Sequence, residues 1–201
     1  MTARKSEKTS TITTRKTPQQ QRAILLVKSI LQAAAHILET GTEPFTTNHI
    51  AKRAGVSIGS LYQYFQNADA IMAALIEQHV ADEREAAEAI LATSHDGQNQ
   101  MMRELLLAFV DAHANAPRLT ARLHELAPVF GLHKTLADAR DAQASTIAQT
   151  MGLPEANILL SIMAVEGVVL AMLASNPAML KSDSFIDQLY AIAQAPLETQ
   201  S

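Results

Sequence analysis

Cysteine and tryptophan are absent from this 201-residue chain, and its aromatic residues amount to three Tyr and five Phe. Without cysteine there can be no disulfide framework, no thiolate metal site and no cysteine nucleophile, and a reducing cytoplasm suits the chain. The first 22 residues are polar and lack an apolar core segment, so no secretory signal is expected. A Gly-rich phosphate loop, HExxH and G-x-S-x-G are all missing, which removes the usual footholds of catalysis. We expect no catalytic residue, no metal and no cofactor. His36, His49, His79, His95, His113, His124 and His133 show no compact metal spacing. His113, His124 and His133 could still converge from neighbouring helices, with Glu125 nearby. No stretch alternates with period two and no repeat appears, so the fold class is all-α.

What is present is apolar side chain in quantity: 48% of residues are hydrophobic, enough to bury a core. Charge is unevenly placed. Residues 1–80 hold nine Lys/Arg against five Asp/Glu, a net +4, whereas residues 81–201 hold seven against fifteen, a net −8. A basic front and an acidic rear suit only the front to a polyanion.

The chain divides into a basic arm (1–19), a small helical head (20–66) and a larger helical body (67–201). The arm is rich in Thr, Ser and Lys/Arg and should be disordered. Arg4, Lys5, Lys8, Arg15 and Lys16 could reach DNA phosphates or the minor groove, or could merely solvate the tail. Ile24, Val27, Ile30, Leu31, Ala34, Ile37 and Leu38 step as one helix from about Pro18 to Leu38, closed by Gly41. A long helix opens near Ala68 and continues past Ala92, its first half apolar and its middle charged. Further helices are expected over Met101–Ala114, Pro117–Leu126, within Gly131–Thr150, over Glu155–Ala174 and over Ser182–Ala195.

Between the first helix and the long one lies Phe45–Phe65, FTTNHIAKRAGVSIGSLYQYF. Thr46 can cap a helix whose staple is Phe45 with Ile50. Gly55 supplies a left-handed close. Ser57 caps a second short helix with Leu61 and Phe65 inward. Ile58, Gly59, Ser60, Tyr62, Gln63 and Tyr64 then form an outer face that is small, polar and aromatic, without charge. Helix, tight turn and second helix make a helix-turn-helix, whose second helix fits the major groove.

Thr46-Thr47, Ile50-Ala51, Ala54-Gly55-Val56-Ser57, Gly59-Ser60-Leu61-Tyr62 and Tyr64-Phe65 resemble the signature of the tetracycline-repressor (TetR) family, in a context running from Arg22 to about Leu75. The resemblance implies a homodimeric transcriptional regulator, most simply a repressor released from a double-stranded DNA operator by a small-molecule effector. The alternative is an all-helical enzyme or small-molecule carrier in which the helix-turn-helix is incidental. Thr47, Asn48, Ser57, Ile58, Gly59, Ser60, Tyr62, Gln63 and Tyr64 are expected to face DNA. The family often grips a phosphate with a lysine at the start of its fourth helix; here Ala68 and Asp69 stand there.

The resemblance also implies an effector pocket in the body, with Phe109, His113, Leu123, His124, Leu126, Phe130, His133 and Met163 as its expected lining. Glu155–Ala174 is apolar nearly all round, but Glu166 at its centre and the lack of flanking Lys/Arg argue against a membrane span. Such a helix needs cover on every side. Ala164, Gly167, Ala171 and Ala174 make a small-residue stripe on it, and with Phe185 and Leu189 of the last helix they are the expected dimer seam. TetR-like proteins pair through their two C-terminal helices.

Overall fold

The computed structural model describes residues 18–93 and 97–198. The basic arm, apart from its last two residues, and His95 lie outside them. All regular structure among the described residues is helical: α1 (Pro18–Thr40), α2 (Thr47–Ala54), α3 (Ile58–Tyr62), α4 (Ala68–Leu91), α5 (Gln98–Ala114), α6 (Pro117–Leu126), α7 (His133–Met151), α8 (Glu155–Ser175), a 3-10 turn (Pro177–Lys181) and α9 (Asp183–Glu198).

Helix ends fall where the local chemistry puts them. Thr46 Oγ1 accepts from the His49 N–H and Ser57 Oγ from the Ser60 N–H, satisfying donors that a first turn leaves free. Asn67 does the same for Ala70 at the start of α4. Gly55 takes φ 68° and gives its N–H back to α2, which lets α3 turn off at once. Pro117 opens α6, where a missing N–H costs nothing.

Three apolar cores hold these helices. The first joins Ile30, Ala34 and Ile37 of α1 to Ile50 of α2, Leu61 of α3 and the Ile71–Ile76 face of α4. Leu123 of α6 and Ala127 just beyond it are buried in the same core. Their neighbours reinforce the joint. The Leu119 N–H donates to Glu39 Oε2 at 2.6 Å, and Arg118 Nη1 donates to the Thr40 carbonyl at 3.3 Å. The second core lies among α5, α8 and α9, and the third among the far end of α4, α5, α7 and α8.

Two expectations about faces change. Ile24 is 53% exposed although its spacing fits the α1 stripe, because the head's other helices pack only farther along α1. Phe185 and Leu189, expected at the dimer seam, are buried inside the protomer against α5 and α8. They project from the side of α9 that its own chain covers, so a partner cannot reach them. Residues 20–40 and Glu155–Ser175 are each long and apolar enough to cross a bilayer by length and composition. On α8, however, Ile158, Ser161, Val165, Val169 and Leu173 recur at three- and four-residue steps and pack into the body.

Candidate functional site

The head presents one exposed surface of its own making. Leu61 and Phe65 turn inward, which leaves Ile58, Gly59, Tyr62, Gln63 and Tyr64 outward, with Asn48 and Ser57 beside them; Thr47 and Ser60 are half-buried. Thr47 Oγ1 and Tyr62 Oη lie 3.2 Å apart and tie the openings of α2 and α3 together. Ser57 and Ser60 hydroxyls are 2.8 Å apart. α3 ends at Tyr62, so Gln63 caps it and Tyr64 lies beyond. A Cβ added to Gly59 would meet nothing closer than Ser57 Oγ at 3.9 Å. Internal packing therefore does not require glycine there. Arg53 is drawn away to Glu43 at 3.0 Å, while Lys52 stays exposed.

The second site lies in the body, where α4, α5, α6, α7 and α8 meet around a cavity of about 150 Å³. On α4 the inward stripe Met72–Ile76–His79–Glu83–Ala87 runs at steps of four, three, four and four, and at its middle the apolar residues give way to a histidine and a carboxylate. On α5 the turn after Phe109 brings His113, fully buried, to the same place. α6 contributes His124 and α8 contributes Glu166, with Arg140 of α7 beside it. The His79, His113 and His124 ring centroids lie 5.4, 5.6 and 5.9 Å apart. Glu83 Oε1 stands 3.3 Å from His113 Nε2 and 3.5 Å from His79 Nε2. Glu166 lies 3.8 Å from His124 Nδ1 and 3.5 Å from Arg140 Nη1. The His113 Nδ1–H donates to the Phe109 carbonyl at 2.9 Å, leaving the Nε2 lone pair facing the cavity.

Burial dominates the protonation of this cluster. It holds His113 down to about 3, helped by the charge of His79, against a smaller upward pull from the Phe109 hydrogen bond. His79 is held down to about 4 by burial and then by His124, and His124 is lowered by burial. Glu83 is pushed up to about 8, first by burial and then by Glu166 and Asp82. At neutral pH the cluster is three neutral imidazoles around a carboxylic acid. Among the described residues, five buried side-chain atoms lack a hydrogen-bond partner: His79 Nε2, Glu83 Oε1, His113 Nε2, His124 Nε2 and Arg140 Nε. Each such atom costs about 1–3 kcal/mol. All five lie in this one place, which spends stability on a polar interior that the fold itself does not use.

Only part of the expected lining is here. Phe109, His113 and His124 face the cavity. Leu123 is buried in the head's core, with Leu126 and Phe130 packed against that same core, because α6 turns its apolar side to α1. His133 and Glu125 are exposed, and Met163 is 47% exposed on the outer side of α8. The sequence reading missed His79, Glu83, Arg140 and Glu166. Their signal was polar residues at positions continuing an apolar stripe, as in Ile76–His79–Glu83 and Ile162–Glu166. A smaller apolar cavity of about 60 Å³ adjoins, sharing Phe109, Gln143 and Ile162 with the first.

Residues 30–75 match the family model for bacterial regulatory proteins of the tetR family. Among solved structures, a TetR family transcription regulator from Marinobacter aquaeolei VT8 superposes with a TM-score of 0.68 at 16% identity, over 89% of this chain and 98% of that one. A TetR variant from Acinetobacter baumannii AYE in complex with minocycline gives 0.55 at 22% identity, over 82% and 92%. The transcriptional regulator FadR from Bacillus subtilis, in complex with stearoyl-CoA, gives 0.54 at 14%, over 87% and 97%. No curated protein sequence matches. The helix-turn-helix segment thus matches the tetR family model, and the fold of the chain is that of solved tetR-family regulators.

Proposed function

We propose that this chain is a homodimeric, ligand-responsive transcriptional regulator, a repressor that leaves its operator when a small molecule occupies the body cavity. The observation that carries it is the outer face of α3, which is exposed, small and uncharged on a head of net positive charge, and whose glycine internal packing does not need. Thr47 and Tyr62, already in contact, would share a phosphate, while Ser60 and Gln63 would read base edges.

The cavity supports ligand response because its walls, drawn from five helices, are largely apolar with a few convergent polar groups left without partners. Two neighbours of the same fold hold minocycline and stearoyl-CoA. A path to the head exists in α6, which carries His124 on the cavity and Leu123 in the head's core. A ligand that moves α6 would shift the head, and in a dimer would change the separation of the two α3 helices. The dimer itself rests on α8, where Leu160, Met163, Gly167, Ala171 and Ala174 are exposed at three- and four-residue steps, and Ile192 of α9 is exposed as well.

Gel-shift with promoter fragments tests the assignment. Retention of a few fragments at physiological salt is expected. Binding to any DNA that vanishes with salt would refute it. The alternative of an all-helical enzyme or carrier draws on the same His–Glu cluster, and it predicts no selective retention.

A further inference from the structure

We infer that His79, His113 and His124, with Glu83, form a site for one divalent transition-metal ion of the zinc type in the wall of this cavity. Each histidine can bring one ring nitrogen to the centre, the three atoms lying within 4.8 Å of one another. The site is empty. A tetrahedral zinc ion with Zn–N distances of about 2.0–2.1 Å needs ligand atoms about 3.3–3.4 Å apart. Glu83 Oε1 already stands 3.3 and 3.5 Å from the Nε2 atoms of His113 and His79, yet forms a hydrogen bond with neither. These two spacings match edges of a coordination tetrahedron, and the histidine nitrogens, within 4.8 Å of one another, would have to draw in by up to about 1.4 Å, with Glu83 also approaching His124, to complete the other four.

The surroundings resemble the outer shell of such a site. The Nδ1–H of His113 is fixed by the Phe109 carbonyl, which sets the tautomer and aims Nε2 inward. Glu166, held by Arg140, stands behind His124 Nδ1. The Nε2 atoms of all three histidines are buried and unpartnered. Three imidazoles and one carboxylate favour zinc, cobalt, nickel or copper over magnesium or calcium, which prefer all-oxygen sets. The four residues come from α4, α5 and α6, so an ion would pull together the long connector helix and the helix seated in the head's core. As a regulatory signal this rests on the effector assignment above; as a binding site it stands alone.

The test uses full-length protein stripped with a chelator. Cobalt(II) should give the visible absorption of a tetrahedral nitrogen–oxygen site at one ion per chain, displaced by zinc and untouched by magnesium. Zinc affinity, from competition with a chromophoric chelator, should fall by about 100-fold or more in His79→Gln and in His113→Gln. His133→Gln, at an exposed histidine, should leave it unchanged. Circular dichroism of each variant separates lost binding from lost folding. If neither His79→Gln nor His113→Gln gives a folded chain, Glu83→Gln carries the comparison. No uptake by the folded native chain, or uptake that the site variants do not weaken, would overturn the site. Gel-shift with and without zinc then reads regulation separately. Zinc that binds and leaves the DNA complex unaltered would refute the signal and keep the site.

Discussion

Replacing Glu83 by glutamine keeps its shape and removes its titration, and stability against pH then reports on the cluster directly. The native carboxyl is pushed up to about 8, against 4.5 in an unfolded chain, so between these values the folded protein holds a proton that the unfolded one has released. Stability therefore falls as pH rises through that window, by up to about 1.4 kcal/mol per unit, and levels above it. The histidines act with the opposite sign. His79 and His113 are held down to about 4 and 3, and His124 is lowered, against 6.5 when unfolded. The unfolded chain takes up their protons first, and stability is lost as pH falls below 6.5. The cluster thus gives greatest stability near neutral pH. The last deprotonation of the unfolded histidines offsets part of the later loss, while Glu83's own share falls by about 2 kcal/mol on going from pH 6.5 to 8. For a chain of this size that is about 4–8 °C in Tm. Thermal melts by circular dichroism, with a chelator present throughout, should show the native protein losing this much relative to Glu83→Gln between pH 6.5 and 8. An equal decline in the glutamine variant would show that the carboxyl is ionised in the folded state, and the reasoning from burial would fail.

Four further outcomes follow from other parts of the molecule. Gly59→Ala should raise stability by about 0.5–1 kcal/mol, since alanine favours helix and finds open space, while weakening operator binding in a gel-shift; unimpaired binding would remove α3 from the groove. Gln63→Ala should relax preference at one base position by about 1–3 kcal/mol, whereas Tyr62→Phe should weaken all sequences alike, as a binding-site selection would read. Gly167→Leu should sediment as a folded monomer, because its added side chain meets nothing within the protomer; a persistent dimer would place the seam elsewhere. Leu123→Ala should cost about 2–5 kcal/mol in a denaturant melt, as a side chain only 2% exposed in the head's core; a cost below 1 kcal/mol would mean that α6 is not seated there.

Helix order was legible because this chain writes its punctuation plainly. Thr46, Ser57, Gly55, Pro117 and Gly152 each act through a local rule that needs no tertiary partner. The outer face of α3 followed from the same source, since Leu61 and Phe65 fix which side is in. The cavity was half legible. His113 stands in an obvious apolar stripe, but Glu83 lies within the charged run Asp82–Glu88 and His79 just before it, so both look like part of it. Which way such a pair points depends on what packs against α4, and that is supplied by residues about thirty and forty positions away on α5 and α6. The same non-locality hid the place of Leu123: an amphipathic helix of ten residues shows that one side is buried and not against what.

The Glu39–Leu119 and Arg118–Thr40 hydrogen bonds, with Leu123 behind them, also bear on how portable the head is. A hybrid sensor built by grafting a foreign reading head ahead of α4 would keep the connector and leave the underside of α6 facing a stranger. Leu119 would lose its acceptor, and Leu123 and Ala127 would meet side chains never fitted to them. A graft that preserves signalling must therefore carry two discontinuous pieces, the first 66 residues and the side of α6 from Arg118 to Ala127, or re-create on the incoming first helix a glutamate and a socket at the positions of Glu39 and Ile37.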